Sequence, residues 1–178
     1  MRISHITKTL LAGLLCSSFA FAGFRDDHRM AFSVDPIAWT SGNFDLQFEM
    51  SLNDRLSFNA PIGFGFDKAL FKNSYKGSYF NPEFGFKYYV AGKSVSQGFY
   101  VNPLVGIFIG KLNGATDTTG AFTYDFRVGY SWNMWNGFWM DSFLGYEGVA
   151  TKFNSDDSKA AIYLEKNWNV GMFLGYAW

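Results

Sequence analysis

From Phe44 to Ser51 every even-numbered residue is apolar and every odd-numbered one is polar: Phe44-Asp45-Leu46-Gln47-Phe48-Glu49-Met50-Ser51. A β-strand turns successive side chains to opposite faces, so this run predicts a strand with one greasy and one wet face. Asn53-Asp54 marks a tight turn. The alternation then resumes, with Leu56, Phe58, Ala60, Ile62, Phe64 and Phe66 opposite Arg55, Ser57, Asn59, Pro61, Gly63 and Gly65. Further segments fit the same template around Phe84–Val90, Phe99–Ile109, Phe122–Trp132, Phe138–Glu147 and Asn167–Trp178. A less regular one covers about Met30 to Trp39, where Pro36 interrupts. The pattern predicts eight strands joined by alternating short and long connections.

The two faces decide the architecture. One carries Phe, Leu, Ile, Val, Met and Trp; the other carries Gly, Ser, Asn, Asp, Glu and Arg. Eight strands enclose little volume, and five or six large side chains from each would overfill it. The small and polar face therefore belongs inside, and the apolar face points outward, as lipid permits. An open sheet edge in hydrocarbon would strand backbone groups at several kcal/mol each, so the sheet must close. The predicted fold is all-β: an eight-stranded antiparallel up-and-down transmembrane β-barrel. Tyr88, Phe99, Trp132, Phe138 and Trp178 sit near strand ends, where interfacial aromatic girdles form. A soluble secreted ligand-binding barrel is the alternative fold.

Residues 1–22 read as a signal peptide ahead of a single barrel domain, 23–178. Arg2 and Lys8 are its positive start, the run from Leu10 to Leu15 begins its apolar part, and Ala20 and Ala22 bracket the cleavage site. Cys16, the single cysteine, lies within it behind Leu15, where lipoprotein signals carry Gly, Ala or Ser. The mature chain thus has no thiol for a disulfide, a zinc site or a nucleophile. The 178 residues balance 15 basic against 15 acidic side chains, so no basic field exists for nucleic acid. Aromatics at 21 %, with 21 Phe and 19 Gly, disfavour a helical bundle or a disordered chain.

The last strand carries a resemblance. Val170-Gly171-Met172-Phe173-Leu174-Gly175-Tyr176-Ala177-Trp178 resembles the terminal strand of bacterial outer-membrane proteins. Such strands end on an aromatic residue that the barrel-assembly machinery recognises; Tyr176 and Trp178 match, although Phe is the commoner last residue. The whole chain is similar to the small eight-stranded group of the OmpA transmembrane domain, OmpX and the opacity proteins. That resemblance implies residence in the bacterial outer membrane, contact with its lipid and lipopolysaccharide, periplasmic termini and long connections outside. The implied outer connections are Thr40–Asn43, Asp67–Ser78, Lys111–Thr119 and Gly148 to about Tyr163.

Candidate chemistry is sparse. Parity places Asp45, Glu49, Glu83, Asp125, Asp141 and Glu147 inward, with Glu165 beside them, against the bases Arg55, Lys87 and Arg127. Enclosed charges need partners, so these form either a network that plugs the lumen or the lining of a narrow cation-preferring passage. Lys68, Lys72 and Lys76 in the second outer loop are candidates for binding lipopolysaccharide phosphates or an external partner. Asp45 and Glu49 stand about 13 Å apart along a strand, too far for glycosidase acid–base work. Outer-membrane barrels that act on lipid A or phospholipid use histidine with serine, whereas the mature chain has only His28 near its start. No cofactor and no enzyme activity are implied. Pro36, Pro61, Pro82 and Pro103 each lack a ladder donor, which points either to bulges near strand ends or to a weakened seam between lumen and membrane. The expected role is structural or surface-interactive. A narrow pore for small cationic or apolar solutes is the second reading.

Overall fold

Alternating side chains with frequent β-branched and aromatic residues form strands, and the chain closes them on themselves. The structure, a computed structural model, describes residues 28–40, 42–65, 77–95, 97–112, 118–134, 137–153 and 167–178. Eight strands appear in order: β1 (Met30–Val34), β2 (Asn43–Ser51), β3 (Leu56–Gly65), β4 (Gly77–Lys93), β5 (Gln97–Leu112), β6 (Thr119–Asn133), β7 (Phe138–Phe153) and β8 (Asn167–Ala177). Each pairs antiparallel with the next, and β1 pairs with β8, giving a closed up-and-down barrel. Ala31↔Ala177 to Val34↔Leu174 form the closing ladder. Beyond it, Met30 and Trp178 exchange both backbone hydrogen bonds, at 3.0 and 2.8 Å.

The faces divide as the alternation predicts. On β4, Glu83, Gly85, Lys87 and Tyr89 are buried, whereas Phe84, Phe86, Tyr88 and Val90 are exposed. On β5, Tyr100, Asn102, Leu104 and Phe108 are buried while Phe99, Val105, Ile107 and Ile109 are exposed. On these strands the inward face is thus largely polar and the outward face apolar. Of the girdle candidates, Trp132 departs: it is buried against Tyr130, with ring centroids 4.7 Å apart.

Two features of the wall were not in the pattern. Strand β1 stops at Val34, five residues short of its expected end, and a single helical turn follows, α1 (Pro36–Thr40). Asp35 caps it: its Oδ1 accepts the N–H groups of Ile37 (2.7 Å) and Ala38 (3.1 Å). Pro36 takes the first helical position, where its missing N–H costs nothing.

The other three prolines mark lapses in the ladders. Pairing between β3 and β4 skips from Asn59↔Gly85 to Ile62↔Pro82, past Pro61. Between β4 and β5 it skips past Pro82 and again past Pro103. A Cβ at Gly85 would run into the Pro103 carbonyl oxygen, so only glycine permits this close approach. The register shifts fall elsewhere, at Tyr89/Ala91 and Phe122/Thr123.

The wall is uneven. Strands β4 to β7 run 15 to 17 residues, whereas β1 and β2 have 5 and 9. Strands β4 and β7 outrun the expected spans, reaching Lys93 and Phe153.

Candidate functional site

An apolar cluster lies at the end of the barrel where β1 begins and β8 finishes. Val95, in the turn after β4, adopts a positive φ of 53° and is fully buried. It packs with Ala31, Trp139, Phe173 and Ala177 as an apolar floor. The turn is tied down by Ser94, whose Oγ contacts Ser51 Oγ at 2.7 Å and donates to the Asn53 carbonyl at 2.5 Å.

Above the floor lies a charge layer drawn from five strands, β2, β3, β4, β5 and β7. Lys87 Nζ sits 2.6 Å from Glu49 Oε2 and 2.6 Å from Asp141 Oδ2, and all three residues are 0 % exposed. The remaining acceptors are filled too. Glu49 Oε1 accepts from the hydroxyls of Ser57 (2.6 Å) and Tyr89 (2.8 Å). Asp141 accepts from the Tyr100 hydroxyl (2.6 Å) and the Gln47 amide (3.2 Å). The ammonium also lies 4.3 Å from the Tyr100 ring centroid and 5.1 Å from that of Trp139. A charge removed from water is tolerable only with partners of this completeness. Tyr89, Tyr100 and Trp139 are themselves buried around this layer.

The second layer is looser. Arg127 donates through Nε to Asp125 (2.5 Å) and through Nη2 to Glu83 (3.0 Å), and its guanidinium covers the Phe143 ring at 4.4 Å. Its Nη1, Asp125 Oδ1 and Asn169 Oδ1 are buried and have no partner among the described residues. This layer floors a cavity of about 280 Å³ at the end with the long connections. Asp35, Asp45, Glu83 and Glu147 line it, with Arg127 as the single cation among its described lining residues.

The cavity has an unusual side wall. Above Val34, strand β1 gives no partner to Asn43–Asp45 of β2 or to the first residues of β8. Strands lie about 4.8 Å apart, so omitting one opens about 10 Å, the width of a helix. Helix α1 fills that place and packs against both β2 and β8. Asp35 bridges the break: its N–H donates to the Asp45 carbonyl (2.9 Å), and its Oδ2 accepts the Met172 N–H at 3.3 Å.

Most of the inward charges are therefore together, in two groups: Glu49, Lys87 and Asp141, then Glu83, Asp125 and Arg127. Asp45 and Glu147 line the cavity above. Arg55 is a correction. It lies exposed in the turn before β3, outside the lumen. The Asn53 side chain accepts the N–H groups of both Arg55 (2.9 Å) and Leu56 (3.0 Å), which holds residue 55 in the turn and starts the strand at Leu56. Asp35 was not among the inward acids foreseen, although a strand continued through it would carry it on the buried face of Ala31 and Ser33. Asp-Pro, a helix-start signal, was the available clue. Tyr89 and Tyr100 had the right parity, but their hydroxyls were not read as network members.

Tyr176 and Trp178 are exposed on the outer face with rings stacked at 6.5 Å. Ala20, Ala22, Lys68, Lys72, Lys76 and Glu165 lie outside the described residues. No cluster of His, Cys, Asp and Glu fit to hold a metal ion occurs among the described residues. No family model, curated protein or solved structure matches the chain.

Proposed function

We propose that the protein is a bacterial outer-membrane β-barrel with a closed lumen, serving as a structural or surface-interaction element. The observation that carries this reading is the inverted distribution of polarity. Phe84, Phe86, Phe99, Val105 and Phe126 are exposed outside, around an interior of paired charges. Water would penalise that exterior by roughly 25 cal/mol per Å² of apolar surface, whereas hydrocarbon accepts it. Closure supports the same reading, because every strand has two neighbours and a lipid-facing edge would be costly. The leader-like start and the aromatic end of β8 fit export and assembly, with Tyr176 and Trp178 as the assembly signal. Lipid and lipopolysaccharide are then the immediate surroundings, and any external partner meets the long connections.

Produced with its leader in a bacterium with two membranes, the protein should fractionate with the outer membrane and resist extraction at alkaline pH. Recovery in the soluble periplasmic fraction would overturn the reading and favour a secreted barrel.

A second reading, a narrow cation passage, draws on the acid excess. Seven inward carboxylates, Asp35 included, stand against Lys87 and Arg127. It requires the Lys87 layer to part.

A further inference from the structure

The cavity above Arg127 has a stretch of wall built by the single turn α1 where a regular barrel would have a strand. Trp178 and Met30 exchange hydrogen bonds, so the antiparallel alternation directs the N–H and C=O groups of even-numbered β8 residues toward β1. Leu174 still pairs with Val34, and Met172 reaches only the Asp35 side chain. Val170 and Trp168 come next and have no β1 residue beside them. What stands there is α1, a single turn capped by the Asp35 carboxylate. Its Ile37 and Trp39 are exposed, as are Val170 and Trp168 on the facing strand. An apolar strip thus runs along the outside of the seam, directly beside a charged cavity whose lining includes Ile37, Ala38 and Val170.

The cavity's own chemistry is two-signed. Asp35, Asp45 and Glu147 offer carboxylates, and the side chain of Asp45 is neither salt-bridged nor hydrogen-bonded within the described residues. Arg127, only 7 % exposed, offers an Nη1 with no acceptor among the described residues. A guest meeting all of these carries an ammonium and an acceptor oxygen together. Size sets the rest. A volume of about 280 Å³ holds several waters, or a small polar head in their place.

We infer that this cavity binds the head of a zwitterionic amphiphile, an ammonium paired with an anionic oxygen. Its chain leaves the barrel sideways between α1 and β8 and lies on Ile37, Val170 and Trp168. The ammonium faces Asp45 and Glu147, and the oxygen takes the free N–H of Arg127. This rests on the outer-membrane reading, since the chain needs a hydrocarbon surrounding.

The test uses the folded full-length mature chain in maltoside micelles, titrated with dodecylphosphocholine. Binding is read from the amide resonances of Gly63 and Gly171, which line the cavity. A saturable shift at both glycines is expected. Glycerophosphocholine, which has the head but no chain, and dodecyltrimethylammonium, which has the chain but no acceptor oxygen, should each bind about ten-fold more weakly or less tightly still. Asp45→Asn combined with Glu147→Gln should weaken the zwitterion about ten-fold, and Ala38→Trp, which fills the seam from α1, should do the same. Equal binding of the chainless head would overturn the sideways route, and equal binding of the plain ammonium would overturn the role of Arg127. Non-saturating shifts that dodecyl sulfate reproduces would overturn the site. A chain that is folded and monodisperse without detergent would instead remove the membrane reading, and the sideways route with it.

Discussion

Two cations stand inside this barrel, and their surroundings differ. Lys87 is ringed by Glu49, Asp141, Tyr89, Tyr100 and Gln47, with each charged oxygen accepting at least one hydrogen bond. Arg127 has two carboxylate partners but keeps an orphaned N–H, and its layer opens onto a cavity. Both rest on aromatic rings and both sit in a small net negative cluster. The difference lies in their neighbours. Tyrosine and tryptophan fill the barrel around Lys87. Gly145 pairs with Arg127 across the sheet, Gly63 and Gly171 line the cavity with it, and the early end of β1 removes part of the wall. On the proposed reading, one layer is a seal and the other a floor.

Breaking the seal should have the largest effect. Lys87→Met leaves Glu49 and Asp141 facing each other without a counter-charge, and unfolding in urea from lipid vesicles should show a loss of about 3–5 kcal/mol. Arg127→Met should cost less, about 2 kcal/mol, because water in the cavity can rehydrate Glu83 and Asp125. Equal losses at the two sites would erase the distinction between them. Tyr100→Phe removes one hydrogen bond to a charged acceptor while keeping the ring that fills the lumen. About 1.5 kcal/mol is expected in the same denaturation series, with no gain in ion permeability. The smallest effect falls on the wall. Asp35→Ala strips the cap from α1 and should cost about 1 kcal/mol. Amide exchange should then quicken at Met172 and leave Tyr100 unaffected.

Sequence reading reached the seal more fully than the cavity, and the reason is physical. Parity alone places Glu49, Lys87 and Asp141 inward, since a strand fixes each side chain to a face. That argument fails where the backbone leaves the strand. Arg55 has the parity of the lumen but sits in the turn that Asn53 organises. Asp35 and Pro36 interrupt alternation to start a helix, and the missing stretch of β1 that follows is what shapes the cavity wall. Ladder lapses beside Pro61, Pro82 and Pro103 agree with their lack of an N–H, yet the strands stay in one closed sheet around them. Cross-strand partners were out of reach as well. That Tyr100 meets Asp141, 41 residues away, depends on registers set by the turns and bulges.

The central claim is that the Lys87 layer closes a membrane barrel. Planar-bilayer conductance of the refolded mature protein tests it most directly, with insertion verified independently and Lys87→Ala/Tyr100→Ala/Trp139→Ala recorded beside the unaltered chain. The account predicts silence from the unaltered barrel and cation-preferring openings once those three side chains are cut back. Reproducible openings from the unaltered protein would contradict it and make the acid-lined lumen a conducting path.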